Sequence, residues 1–94
     1  MDMLIHEAAG RGNLDTVQAV LTENPGLASS KDDNGYTPLH WACHSGRTEV
    51  VAMLLANHAE VNARDNLGWT PLDWAEANHH KDMVELLRQH GAHG

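Results

Sequence analysis

Residues 35–42 read Gly35-Tyr36-Thr37-Pro38-Leu39-His40-Trp41-Ala42, and residues 68–75 read Gly68-Trp69-Thr70-Pro71-Leu72-Asp73-Trp74-Ala75. The octets lie 33 residues apart and share six identities. Each has the chemistry of a helix start. Thr37 and Thr70 are N-caps whose hydroxyls accept exposed backbone N–H groups. Pro38 and Pro71 occupy the first helical position, where a missing N–H costs nothing. Leu39 with Ala42, and Leu72 with Ala75, set an apolar stripe on a short helix, and the small Ala lets neighbouring helices approach. Gly35 and Gly68 supply the positive φ of a hairpin-like loop before each helix.

The register extends outward. Residues 32–61 against 65–94 give ten identities in thirty positions, where average usage gives about two. They include Asp32 with Asp65, Val51 with Val84, Leu54 with Leu87 and Ala59 with Ala92. At a shift of 34, residues 5–9 fall on 39–43, Gly12 on Gly46, Val17 on Val51 and Leu21 on Leu55. The extra residue lies in Asn24-Pro25-Gly26, a turn-rich stretch where length varies cheaply. Gly46 permits a tight turn into a second helix. Val50, Val51, Leu54 and Leu55 form that helix's apolar face. First helices are expected near 3–10, 38–45 and 71–77, second helices near 14–23, 48–57 and 81–90, and β-turn loops near 29–36 and 62–69.

These residues resemble the ankyrin repeat. The resemblance rests on the octet at 35–42, then Gly46, Glu49-Val50-Val51, Leu54-Leu55 and the run Ala59-Glu60-Val61-Asn62-Ala63-Arg64-Asp65. It covers essentially the whole chain and implies an all-α solenoid of three helix-turn-helix repeats. The expected units are 1–31, 32–64 and 65–94, in a single domain. Arg88, Gln89 and His90 replace an apolar edge, as a terminal repeat with nothing stacked on it needs. The chain reads as a complete three-repeat protein.

Composition narrows the function. Lys and Arg total 6 against 13 Asp and Glu, a formal charge of −7 with 8 neutral His. No basic run is present to neutralise phosphates, so nucleic acid is not an expected partner. The longest apolar run, Val50 to Ala56, falls short of the ~20 residues that span a bilayer, so no membrane partner is expected. The start lacks a basic flank and cleavage site. A cytoplasmic monomer is expected. Cys43 is the single cysteine and can make neither an intrachain disulfide nor a thiolate zinc site.

Eight histidines are unusual in a chain of this length. His6, His40 and Asp73 recur at one register and form a row. That row, with Cys43 nearby, is a metal-site alternative. The competing reading is structural, since the family's His at this position bonds the Thr of its own motif. Asp73 puts that local network in doubt in the third repeat. His58 and His79 stand where the family has Gly or a turn residue, and His79 is a candidate for positive φ. Protonating all eight rings would move the charge from −7 to +1, so binding and solubility are expected to respond near pH ~6.5.

No catalytic arrangement stands out. Cys43 and His44 are helix neighbours that do not face each other. Glu7, Glu49 and Glu76 are scattered. No Gly-rich phosphate loop exists, and no cofactor is expected.

The resemblance implies a protein-binding module acting through loop tips and first helices on a concave face, as an inhibitor or adaptor. Tyr36 and Trp69 sit at matching loop positions, where the two rings are expected to be neighbours and anchors. The family's variable surface positions fall here on Asp33, Asn34, His44, Ser45, Asn66, Leu67, Ala77 and Asn78. The acidic balance points to another protein with a basic or polar surface. Trp41 and Trp74 are expected in the core between repeats. Asn62 reads as a turn stabiliser, with asparaginyl hydroxylation as a conditional alternative. The other functional alternative is an engineered or consensus-derived scaffold without a partner, against which His58, His79 and Asp73 count.

Overall fold

A computed structural model describes residues 4–93. Six α-helices occur among them: α1 (Leu4–Arg11), α2 (Leu14–Glu23), α3 (Pro38–Ser45), α4 (Thr48–Ala56), α5 (Pro71–Ala77) and α6 (Lys81–Gln89). They match the expected helices to within a residue or two, and the expected Met3 lies outside the described residues. One element is a correction: Pro25–Ser29 is a 3-10 helix, not an open turn. Pro25 starts a tight helical turn as readily as it breaks one, because its φ is already helical.

The helices form two rows. The first helices α1, α3 and α5 pack side by side, and the second helices α2, α4 and α6 lie behind them. The seam between rows is the core. Leu39, Leu54, Val51 and Leu87 have no exposed surface, and Ala9, Ala42 and Ala75 fill the close approaches of the first helices. Burying one such Leu stabilises the fold by about 1.5–3 kcal/mol.

Each first helix starts as its sequence dictates. The Thr37 hydroxyl accepts the His40 N–H at 3.3 Å, and the Thr70 hydroxyl accepts the Asp73 N–H at 3.2 Å. The third residue of each helix answers by accepting the cap's own N–H. His40 Nδ1 takes the Thr37 N–H at 3.1 Å, and an Asp73 carboxylate oxygen takes the Thr70 N–H at 3.0 Å. The network expected to be in doubt at Asp73 is therefore complete, because a carboxylate accepts as well as an imidazole nitrogen does. Gly46 closes α3 with φ 73°, in the left-handed region that a Cβ strains.

The histidine row joins successive repeats. His6 Nε2 donates to the Tyr36 carbonyl at 3.0 Å and to the Ser30 carbonyl at 2.8 Å. His40 Nε2 donates to the Trp69 carbonyl at 2.9 Å. Each ring thus fixes the loop that leads into the next repeat. A carbonyl only accepts, so the Nε2 proton is assigned from its partners, and His40 Nδ1 must be the acceptor for Thr37. A proton on that nitrogen would face a donor. Burial pushes the His40 pKa below its ordinary value, with the Trp69 carbonyl opposing. The all-histidine titration to +1 is accordingly corrected, because His40 resists its proton in the fold.

The last repeat carries charge where the one before it is apolar. Arg88 takes the register of buried Leu55, is exposed, and pairs with Glu76 at 2.9 Å. An exposed pair of this kind is worth about 0–1 kcal/mol, so it serves solubility more than stability. Asn62 was expected to stabilise its own inter-repeat turn, and its side chain instead reaches the next repeat: its amide N–H donates to the Gly91 carbonyl at 3.1 Å and its amide oxygen accepts the His93 N–H at 2.9 Å.

Two predictions follow from these geometries. His58 and His79 are the non-glycine residues at positive φ among those described, at 65° and 59°. His58→Gly should raise stability by about 0.5–1 kcal/mol, read from the urea midpoint, because relief of left-handed strain exceeds the added unfolded entropy. The second concerns pH. Below the unfolded-state value of about 6.5, the unfolded chain binds a proton that folded His40 refuses, so stability is full above that pH and declines below it. His40→Gln keeps the capping bond but loses the Trp69 contact. It should cost about 1 kcal/mol at pH 7.5 and flatten the fall in melting temperature between pH 7.5 and 5.5.

Candidate functional site: an aromatic face

The loops and first helices share a face built on a motif that occurs twice. Asp32 accepts the backbone N–H groups of Asn34 and Tyr36, each at 2.9 Å, through one oxygen. Its other oxygen accepts the indole N–H of Trp41 at 3.0 Å. Asp65 repeats this with the Leu67 and Trp69 N–H groups at 2.9 Å and the Trp74 indole at 3.0 Å. Burial alone would raise both carboxyl pKa values. The indole and backbone donors outweigh it and hold both below the ordinary range.

This motif places the tryptophans. They pack against the core between repeats, as expected, but Trp41 and Trp74 are only half-buried: one edge is tethered to Asp and part of each ring reaches the face. Trp41 also lies against α1, where a Cβ on Gly10 would come within 2.9 Å of its ring. Glycine at that position lets the indole seat against the helix backbone.

Trp74 is the centre of the face. Its ring lies 4.9 Å from Trp69, 5.2 Å from His44 and 6.1 Å from Tyr36, centroid to centroid. Tyr36 and Trp69 are thus joined through Trp74, which sequence reading had assigned to the core. Tyr36, His40, Trp41, His44 and Trp74 line a pocket of ≈ 160 Å³.

The other expected surface residues divide into groups. Asp33, Asn34 and Asn66 are exposed and tie the two loop tips together. The Asn66 amide donates to the Asp33 carbonyl at 3.1 Å, and the Asn66 N–H donates to the Asn34 carbonyl at 3.0 Å. Leu67 is 77% exposed and Trp69 38% exposed at the second tip. Ser45 and Ala77 are exposed at the ends of α3 and α5, outside the pocket lining. Asn78 donates to the Trp74 carbonyl at 2.9 Å and closes its helix.

Sequence reading missed Asp32, Asp65, His40, Trp41 and Trp74 as builders of this face. The signal was present in the identical Asp–Trp pairs nine residues apart. Their contact depends on how each loop folds back over its helix, which spacing alone does not say.

The metal alternative does not survive the geometry. No group of three His, Cys, Asp or Glu side chains is placed to hold an ion among the described residues. The His40 ring nitrogens face Thr37 and the Trp69 carbonyl, and Asp73 is engaged by Thr70. Cys43 is fully buried, and burial pushes its thiol pKa far up, which leaves it inert as a thiolate. No described helix is long and apolar enough to cross a membrane.

Comparison with known proteins agrees with the architecture. The family described as ankyrin repeats (3 copies) matches residues 5–94. Osteoclast-stimulating factor 1 from Bos taurus is 42% identical over 53 residues, covering 56% of this chain and 24% of that protein. Its Danio rerio counterpart is 43% identical over 51 residues, covering 54% and 23%. Ankyrin repeat domain-containing protein SOWAHC from Mus musculus is 45% identical over 47 residues, covering 49% and 9%. The chain spans a quarter or less of the length of these relatives. With the family match across nearly its whole length, and with three helix pairs in the matching register, the chain belongs to the ankyrin-repeat family.

Proposed function

We propose that this chain is a non-catalytic module that binds another protein through the face formed by its loop tips and first helices. Ankyrin repeats generally mediate protein–protein interaction, and the finer assignment of surface rests on one observation. A rigid run of aromatic and apolar side chains is left exposed there: Leu67 and Trp69 at the tip, continuous through Trp74 with the pocket beside Tyr36. Every described buried side-chain nitrogen and oxygen has a hydrogen-bond partner, so the aromatic rings are held without strain from unmet polar groups. Rigid aromatics lose little entropy on binding, which is why Trp and Tyr dominate interface energetics.

The charge supports the same reading. At −7 the chain repels acidic surfaces and attracts basic ones. That field acts mainly on encounter rate and is screened over about 8–10 Å at ordinary ionic strength. The partner is read as a basic or polar protein surface, met by a monomer in the cytoplasm, with the chain as inhibitor or adaptor. A scaffold without a dedicated partner is the alternative outcome of the test.

The test compares wild type with a Leu67→Ala, Trp69→Ala double variant as capture baits, followed by affinity measurement on whatever is retained. Leu67 is exposed and Trp69 lies against Trp74 outside the buried core, so helix content should be unchanged by circular dichroism. The variant should bind at least about 30-fold more weakly, the scale of one hot-spot residue. Equal recovery of the same proteins by both baits would remove the proposed surface.

A further inference from the structure

We infer that the aromatic pocket receives a methylated ammonium, carried as a methylated lysine side chain on the partner polypeptide. This rests on the reading of the face as a partner surface and gives it a specific chemistry.

The lining holds three large rings, two imidazoles and no charged side chain among Lys, Arg, Asp or Glu. Tyr36 stands at 83° to Trp74, and His44 at 72° to it. Walls near right angles enclose a compact, rounded group better than a flat one. The volume of ≈ 160 Å³ accommodates a group of a few heavy atoms rather than a large ligand.

The charge of that group follows from the indoles. Trp41 and Trp74 each donate their N–H to a carboxylate, at 3.0 Å in both cases. Negative charge at the ring edge makes the π-face more negative, and Trp is already the strongest cation–π partner. Two carboxylate-tethered indoles in an acidic chain favour a cation over a neutral apolar group.

The identity of the cation follows from the hydrogen bonds. An arginine brings five N–H donors and an unmodified lysine three, all needing acceptors once desolvated. Asp32 and Asp65 already accept three donors each. The His40 ring nitrogens are engaged by Thr37 and the Trp69 carbonyl. The lining's remaining acceptors are the Tyr36 hydroxyl and one nitrogen of a neutral His44, fewer than the donors of either ordinary cation, so part of its hydration is lost without replacement, at a cost that offsets its attraction to the rings. Methylation removes that difficulty. A trimethylammonium keeps its charge, has no N–H and presents apolar methyl groups to aromatic walls. Trp69 and Leu67, beside the pocket through Trp74, supply apolar surface for the rest of the partner segment.

The experiment titrates the intact chain with three short peptides identical except at one residue: trimethyllysine, lysine, or a neutral residue ending in a tert-butyl group. Indole N–H signals in a ¹H–¹⁵N spectrum report binding at Trp41 and Trp74 separately from Trp69, and show that each variant is folded. Trimethyllysine should bind about ten-fold or more tightly than either comparison peptide. Tetramethylammonium chloride should compete for it. Tyr36→Leu removes a wall ring but keeps the backbone carbonyl that His6 holds, and should weaken tetramethylammonium binding about ten-fold. Leu67→Ala alone, at a side chain 77% exposed and outside the pocket lining, should retain tetramethylammonium binding. Equal affinity for lysine, equal affinity for the neutral isostere, or tetramethylammonium binding without preference for the methylated peptide would each overturn the proposal. If that happened while the double variant still lost its captured partner, the partner-surface reading would stand and only the cation assignment would fall.

Discussion

A carboxylate that accepts three N–H groups organises this molecule, and it does so twice. Asp32 and Asp65 each gather two loop amides and one indole, so a single side chain sets the loop's curvature and fixes a tryptophan across it. Without that convergence, the loop N–H groups would need water or other partners, and the indoles would have no reason to lie at the surface. Charge-assisted bonds of this kind are about twice as strong as neutral ones. The depressed carboxyl pKa values are the same fact seen from the proton's side. That stabilisation is present above the unfolded carboxyl value of about 3.9 and is lost as pH falls through the folded values, so acid would loosen both loops together.

The histidine row depends on that curvature. His6 and His40 reach the carbonyls of Tyr36 and Trp69, the residues whose amides the aspartates hold. Each loop is therefore pinned from both sides, by a carboxylate within its own repeat and by an imidazole of the repeat before it. The third repeat carries Asp73 at the row position, where the capping bond is kept and no later described loop awaits a donor. Function and stability meet at the same residues. The bonds that make the stack rigid also present an aromatic surface that no described element covers.

Much of the architecture is legible in residue types. Thr-Pro starts α3 and α5, and the apolar pairs around Val50 and Leu54 name the buried face of α4. Glycine at position 46 and histidine at position 79 are legible as left-handed residues, because their backbone need is local. The exposed candidates Leu67 and Trp69 are also found this way, from repeat register. The 3-10 helix at Pro25–Ser29 is not, since a proline-led turn and a short helical turn share the same composition.

What the sequence determined by itself was the repeat, the helix starts and the side of each helix that turns inward. Those depend on residues within one or two turns of each other, and spacing encodes them. The tertiary structure decided what became of the polar and aromatic residues between. Whether Trp74 lies in the core or on the face turns on Asp65, nine residues away and brought back by a loop. Whether His40 is a metal ligand, a pH sensor or a tie turns on the Trp69 carbonyl of the following repeat. Such partners meet only when the chain folds back on itself, so the pocket and its chemistry belong to the stack and not to any single repeat.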